Sequence, residues 1–226
     1  MQFNQDNREL SLKVVYYGPA LSGKTTNLRE LHARLSPEVR GRLLTVDTKS
    51  DRTLFFDLLP VFFESSSGLR VKIKLYTVPG QVMHIATRRI VLQGADAIAF
   101  IADSQREQTR ANNEYWRNML DDLRLNGLAR EGLPTVIQFN KQDLPNVRSK
   151  EEIAEVTKRG EEQVFLASAL HGEGVVETLH GLLGVTHNML EKRLRLGSRW
   201  RLSKEEFLGK IFSTFDLRGT KLSSQG

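Results

Sequence analysis

A short segment between an apolar run and a helical one constrains the fold of this chain more than any other feature. Residues 12–17 predict a buried β-strand, and residues 24–35 have the spacing of a helix. The eight residues Gly-Pro-Ala-Leu-Ser-Gly-Lys-Thr, 18–25, lie between them and match the pattern G-x-x-x-x-G-K-[ST]. Such a loop curls so that its amide groups and the helix N-terminus face one anion. The sequence therefore predicts a phosphate-binding loop.

The side chains of this loop favour a nucleoside triphosphate as the ligand. Lys24 supplies a compact positive charge, and the Thr25 hydroxyl can ligate Mg²⁺. The residues predicted to contact phosphate here are Gly18, Ser22, Gly23, Lys24, Thr25 and Thr26. The alternative is an ordinary glycine-rich turn between a strand and a helix, which the complete pattern disfavours.

Apolar runs alternate with segments of helical period along the rest of the chain. Strands are predicted at 12–17, 43–48, 69–78, 97–103, 135–141 and 163–168, and helices near 24–35, 83–93, 106–126, 149–158 and 174–195. We therefore predict an α/β P-loop NTPase fold, with a mostly parallel sheet of six or seven strands and helices on both faces. The more polar strands 43–48 and 69–78 are expected to pair as a hairpin toward one edge.

The sequence Phe-Asn-Lys-Gln-Asp-Leu-Pro ends the fifth predicted strand and selects the base. The Asp143 carboxylate can accept hydrogen bonds from N1–H and the 2-amino group of guanine, whereas adenine offers neither donor. Asn140 and Lys141 complete the guanine-binding pattern, and the backbone of Ser168 and Ala169 is expected near the guanine O6. The predicted ligands are therefore GTP and GDP, and an ATP-dependent enzyme is disfavoured.

Two further segments contain the residue types needed to hydrolyse GTP to GDP and phosphate. Residues 77–81, Thr-Val-Pro-Gly-Gln, offer the Gly80 amide to the γ-phosphate and Gln81 to orient the attacking water. In residues 51–60, Thr53 is the candidate switch threonine and metal ligand, and Arg52 is a candidate arginine finger in cis. Mg²⁺ is the expected cofactor.

Thr77 departs from the usual pattern of P-loop GTPases, D-x-x-G-Q, in which an aspartate at this position holds Mg²⁺ through water. Either Asp57 or Asp51 supplies the missing carboxylate, or the metal is bound weakly. Asp57 and Thr77 are therefore candidates for supporting the direct metal ligands. The missing aspartate also favours a competing function, a non-catalytic nucleotide-bound scaffold, against which Gln81 and Arg52 argue.

Five segments together resemble the MglA family, small Ras-like GTPases that set front–rear polarity in motile bacteria. They are KVVYYGPALSGKTTNL, DRTLFFDLLP, LYTVPGQV, ADSQ and VIQFNKQDLPN, within roughly residues 8–190, and the threonine in T-V-P-G-Q is typical of that family. By residue matching, Arg52 corresponds to the family's intrinsic arginine finger, Gln81 to its catalytic glutamine and Thr53 to its switch threonine.

The resemblance implies a Ras-like fold and a GDP/GTP switch that controls polarity or motility. Its GTP form would bind effectors at one cell pole, and MglB, a roadblock-domain homodimer, would stimulate hydrolysis. Ala20 stands where the family commonly has a glycine, and the C-terminus is longer than the family needs. These departures favour a paralogue with a different output.

The sequence divides into a Ras-like GTPase domain, 1–195, and a basic, amphipathic extension, 196–226. Residues 191–226 hold 9 Lys/Arg against 4 Asp/Glu, and the rest is nearly balanced, so we expect no nucleic-acid partner. Ser203 begins a capping box, followed by an apolar stripe of Phe207, Leu208, Ile211, Phe212 and Phe215. This helix could dock on its own domain, on a partner protein or peripherally on an anionic membrane.

Several other expectations concern location and packing. The lack of cysteine, of a signal peptide and of a membrane-spanning apolar run predicts a cytoplasmic protein, with a polar or peripheral inner-membrane position as the alternative. Phe55, Phe56, Leu58 and Leu59 are either core or effector surface, and Trp116, Met119, Leu120 and Leu123 are the inner face of a helix. We expect solvated side chains for His84, Arg88 and Arg89, with a catalytic role as the disfavoured alternative for His84 and partner docking as the alternative for the arginines.

Overall fold

A computed structural model describes residues 1–47, 55–80, 85–158 and 160–213. The strands are β1 (Gln2–Asn4), β2 (Glu9–Tyr17), β3 (Leu44–Asp47), β4 (Phe55–Glu64), β5 (Arg70–Thr77), β6 (Ala97–Asp103), β7 (Thr135–Asn140) and β8 (Gln163–Leu166). The helices are α1 (Lys24–Arg34), α2 (Ile85–Leu92), α3 (Thr109–Leu125), α4 (Lys150–Thr157), α5 (Val175–Leu194), α6 (Leu196–Trp200) and α7 (Lys204–Phe212). Within these ranges no helix is long and apolar enough to cross a membrane.

The described strands form one eight-stranded sheet in the order β3-β4-β5-β2-β6-β7-β8, with β1 attached to β2. Strands β5, β2, β6, β7 and β8 run parallel, whereas β4 is antiparallel to β3 and β5, and β1 is antiparallel to β2. The predicted α/β class with a mostly parallel sheet is confirmed, with eight strands instead of six or seven. The carboxyl ends of β2, β5, β6 and β7 therefore meet at one edge of the sheet.

Helices cover both faces of the sheet because the central strands are apolar on both sides. Along β2, Val14 and Tyr16 face the core formed with α1, α5 and α7, whereas Val15 and Tyr17 face the core formed with α2, α3 and α4. All seven residues of β6 are buried. The predicted inner face of α3 is confirmed: Met119 and Leu123 are buried, and Trp116 and Leu120 pack against the same core.

The predicted pairing of strands 43–48 and 69–78 is wrong. Strand β4 lies between β3 and β5 and pairs with both. Its first residues belong to the segment expected to be a switch, and its side chains alternate between two settings: Leu59 is buried in the core, whereas Phe56 and Leu58 on the opposite face are half-buried. Phe55 begins the strand. Because β4 has apolar residues on both faces, its sequence lacks the apolar–polar alternation that predicts a strand, and it was not predicted.

The C-terminal helix packs on the rest of the chain. Ser203 caps α7 and accepts a hydrogen bond from the Glu206 backbone amide, as the capping box predicts. Phe207, Ile211 and Phe212 are buried in the core shared with α5, and the Phe207 ring meets the Phe63 ring of β4 edge to face at 5.6 Å. Of the three settings predicted for this stripe, docking on its own domain is the one observed. Phe215 lies outside the described residues.

Candidate functional site

The loop between β2 and α1 has the backbone geometry that the sequence predicts for a phosphate-binding loop. Helix α1 starts at Lys24, and Gly23 precedes it with φ of 97°, in the left-handed region that disfavours side chains. A Cβ on Gly23 would lie 2.2 Å from the Asn140 Nδ2 atom, so this position also requires glycine for space. Thr25 and Thr26 are in the first turn of α1, where their amide groups have no partner within the helix.

Lys24 is buried inside the curl of this loop. Its Nζ donates hydrogen bonds to the backbone oxygens of Gly18 at 2.9 Å and Pro19 at 2.6 Å. The pKa of Lys24 is lowered to about 7, chiefly by burial and secondly by the positive charge of Arg88, whereas the Asp57 carboxylate raises it. An anionic ligand beside Nζ would favour the charged lysine, because it replaces the lost hydration with an opposite charge.

The Asp57 carboxylate stands at the centre of a hydroxyl cluster beside the loop. It is 1% exposed and accepts hydrogen bonds from Thr25 Oγ1 at 2.6 Å, Thr45 Oγ1 at 2.9 Å and Thr77 Oγ1 at 3.0 Å. The Asp57 amide also donates to Thr77 Oγ1 at 2.9 Å. Thr77, which stands where related GTPases have an aspartate, is thus hydrogen-bonded to Asp57 of the neighbouring strand β4.

Asn140 joins two of the predicted loops at the end of β7. Its Nδ2 donates to the Ser22 backbone oxygen at 2.8 Å, and its Oδ1 accepts from the Ala169 amide at 2.9 Å. Both Asn140 and Ser22 are buried, so these bonds are shielded from water. The phosphate loop and the predicted guanine loops are therefore fixed relative to each other by one side chain.

The other predicted guanine residues are neighbours of Asn140. Lys141 adopts φ of 67°, and its Nζ contacts Asp103 Oδ2 at 2.6 Å. Ser168 donates its hydroxyl hydrogen to Asp143 Oδ1, and this bond lowers the pKa of Asp143 more than any other contact. The His171 Nδ1 atom lies 2.9 Å from the same Ser168 oxygen. Asp143 is therefore held as a carboxylate that can accept hydrogen bonds.

Gly80 lies directly against the phosphate loop. A Cβ on Gly80 would be 2.4 Å from the Ala20 Cα atom, so no larger residue fits without a shift of backbone. The Tyr115 hydroxyl donates to the Gly80 oxygen at 2.7 Å, which fixes the peptide that enters the predicted switch. Tyr115 is not among the residues predicted for the site, because its helical spacing indicates only a residue that faces the core.

Several predicted residues require correction or fall elsewhere. The prediction that Arg88 is solvated is wrong: this residue is 2% exposed, because α2 packs it against α3 and the Tyr115 ring. Arg89 is about half exposed, in agreement with the expectation, and pairs with Asp122 at 3.0 Å. The candidates that lie outside the described residues are Asp51, Arg52, Thr53, Gln81 and His84.

Comparisons with known proteins give two informative similarities. The chain is 40% identical over 189 residues to the Mutual gliding-motility protein MglA of Myxococcus xanthus (strain DK1622), which covers 84% of this chain and 97% of that protein. It is 28% identical over 153 residues to Elongation factor 4 of Aquifex aeolicus (strain VF5), over 65% of this chain and 24% of that protein. A scan of family models found no match.

Proposed function

This chain belongs to the MglA family of small GTPases, and from that premise we propose that it is a GDP/GTP switch in bacterial gliding motility or cell polarity. The relative from Myxococcus xanthus is named for mutual gliding motility, and it matches this chain over nearly its whole length. The observation that supports the proposal most is the Asp57 cluster, because it supplies a carboxylate beside the phosphate loop where the usual one is missing.

We place the triphosphate along residues 18–26, with Gly80 facing the γ-phosphate. Two features of the structure support this placement. The first-turn amides of α1 form a site for an anion, and Lys24 is enclosed by the loop. Gly80 approaches Ala20 closely enough for its amide to share a ligand with the loop.

The guanine base is proposed to bind Asn140, Lys141, Asp143, Ser168 and Ala169. Asn140 holds Ala169 in place, and Ser168 orients the Asp143 carboxylate. A carboxylate can accept from both donors on the guanine edge, so this arrangement favours guanine over adenine.

The hydroxyl cluster fits Mg²⁺, a cation that prefers oxygen ligands. Because the Thr25 hydroxyl hydrogen is directed to Asp57, the lone pairs of Thr25 Oγ1 are available to the cation. Thr25 and Thr53 are the proposed direct ligands, and Asp57 and Thr77 would support them, Asp57 through water. Mg²⁺ held there would neutralise part of the negative charge of the triphosphate.

Hydrolysis is proposed to depend on Gln81, which would orient the attacking water, and on Arg52, which would stabilise the charge that develops on the phosphate. Gln81→Leu should leave GDP affinity nearly intact and abolish stimulated turnover, because it removes an interaction made in the transition state. Arg52→Ala should slow turnover by about 10³-fold, the contribution of an arginine finger.

The test of this proposal is single-turnover release of γ-phosphate by the purified protein, followed with and without a roadblock-domain homodimer. The exposed and ion-paired Arg124 provides a matched control, since Arg124→Ala should change the rate by less than about twofold. A normal stimulated rate in Arg52→Ala would show that the positive charge that stabilises the transition state comes from the partner and not from Arg52.

The activating partner is proposed to be an MglB-like roadblock homodimer. Support comes from two apolar side chains at one end of the sheet, Leu44 of the edge strand β3 and Phe62 of β4, each 41% exposed. Exposed apolar side chains of this size occur at protein contact sites. Phe62→Ser should reduce stimulation by the homodimer without changing unstimulated hydrolysis. Equal stimulation of both proteins would place the contact elsewhere.

We further propose a cytoplasmic protein that moves to one pole or to the inner membrane when its GTP form binds an effector. Since α7 is packed on the body, a membrane contact would depend on the basic residues before it, among them Arg199 and Arg201. Attraction to anionic lipid should then weaken as salt is raised. Salt-insensitive binding to vesicles that contain anionic lipid would contradict that contact.

A further inference from the structure

Arg88 is an unusual residue for its position in the fold. It is the fourth residue of α2, the helix that follows the predicted switch, and it is 2% exposed. Arginine is rarely buried to this extent, because an enclosed charge requires compensation from its surroundings. The next residue, Arg89, is about half exposed and pairs with Asp122. The chain therefore encloses one of two adjacent cations and leaves the other at the surface.

A short series of contacts connects Arg88 with the phosphate loop. Its guanidinium carbon lies 5.3 Å from the centre of the Tyr115 ring, within the range of a cation–π interaction. The Tyr115 hydroxyl donates to the Gly80 oxygen at 2.7 Å, and Gly80 lies against Ala20. A change in the position of Arg88 would thus reach the Gly80 peptide through one aromatic side chain.

The charge of Arg88 also acts on the phosphate loop. It lowers the pKa of Tyr17, the residue before Gly18, against the stronger effects of burial and Asp122.

We propose that Arg88 is a further positioning residue of the GTPase site, which holds Tyr115 against Gly80. The inference rests on the phosphate placement proposed above. Since Gly80 faces the γ-phosphate and not the β-phosphate, the loss of Arg88 should affect GTP more than GDP. It should also slow hydrolysis, because the peptide before Gln81 would no longer be fixed.

The test compares GTP affinity, GDP affinity and single-turnover hydrolysis in four variants of the full chain. Arg88→Gln should lower the ratio of GTP to GDP affinity and the hydrolysis rate by about tenfold each, as expected for a desolvated cation–π contact and charge. Tyr115→Phe removes only the hydroxyl and should reduce both in the same direction by about fivefold. Arg88→Lys keeps the charge and should restore part of both quantities. Arg89→Gln removes the neighbouring surface charge and should leave the affinity ratio unchanged.

The outcomes separate this inference from the proposed function and from a purely structural role. If Arg88→Gln keeps the affinity ratio and the rate within about twofold of the unmodified chain, the inference is wrong, even if its melting temperature falls. Should Arg88→Gln fail to fold, an unchanged ratio and rate in Tyr115→Phe would overturn it. An unmodified chain that neither binds nor hydrolyses GTP would instead contradict the placement of the site itself.

Discussion

Replacing Asp57 by asparagine tests whether this carboxylate supports the proposed Mg²⁺ site in place of the usual aspartate after β5. The substitution keeps the size of the side chain and one oxygen acceptor but removes the negative charge. In the structure that carboxylate accepts from the Thr25 and Thr77 hydroxyls at 2.6 Å and 3.0 Å. The variant therefore changes the support of a proposed metal ligand with little change in packing.

The expected magnitude follows from these two bonds. A hydrogen bond to a charged group contributes about 1 kcal/mol more than one between neutral groups, so the loss at Thr25 and Thr77 is about 2 kcal/mol. That free energy corresponds to a change of about thirtyfold in a binding constant. The Mg²⁺ concentration that retains bound nucleotide should rise by roughly this factor.

The assay measures the release of a fluorescent GDP analogue from the purified protein across a range of Mg²⁺ concentrations. Release in excess chelator should be similar in the Asp57→Asn variant and the unmodified chain, because no metal is then present to be supported. Asp51→Asn is the matched control, since Asp51 is the other carboxylate that the sequence offers. An unchanged Mg²⁺ dependence in Asp57→Asn, or a shift only in Asp51→Asn, would refute the assignment.

Three other predictions address the base, the phosphate loop and the C-terminal helix. Asp143→Asn should weaken GTP binding by about 2 to 3 kcal/mol and strengthen the binding of xanthosine triphosphate, because the amide can donate to the 2-oxo group of xanthine. Competition binding measures both affinities. An unchanged GTP affinity would exclude this residue as a base contact. Since the folded pKa of Lys24 is lowered to about 7, the ligand-free protein should gain stability from pH 7 toward 10, and nucleotide binding at pH 8 should take up a proton that calorimetry in different buffers detects. Lys24→Met should abolish that uptake, and equal uptake in this variant would assign the proton elsewhere. Phe207→Ala should lower the free energy of unfolding by about 3 to 5 kcal/mol and the melting temperature by about 10 °C, since the Phe207 ring is fully buried against Phe63. An unchanged melting temperature would show that α7 does not stabilise the rest of the domain.

The local sequence determined the parts of this protein in which one short segment specifies both backbone and chemistry. The loop at 18–25 predicted a strand, a tight turn and a helix in that order, and each is present. The segment that contains Asn140 and Asp143 predicted its place at a strand end, since a buried run stops where polar residues begin. These features depend on neighbours in sequence, so they can be read without the fold.

Tertiary structure decided which distant residues meet. The sequence offered two carboxylates, Asp57 and Asp51; the pairing of β4 with β5 brings Asp57 to Thr77, and Asp51 lies outside the described residues. It also allowed three settings for α7, and contacts with Phe63 and α5 decide among them. Arg88 and Arg89 are chemically identical neighbours, but packing of α2 on α3 buries only the first. Sequence spacing records which side chains share a face of one element, whereas burial and charge depend on what another element places against that face.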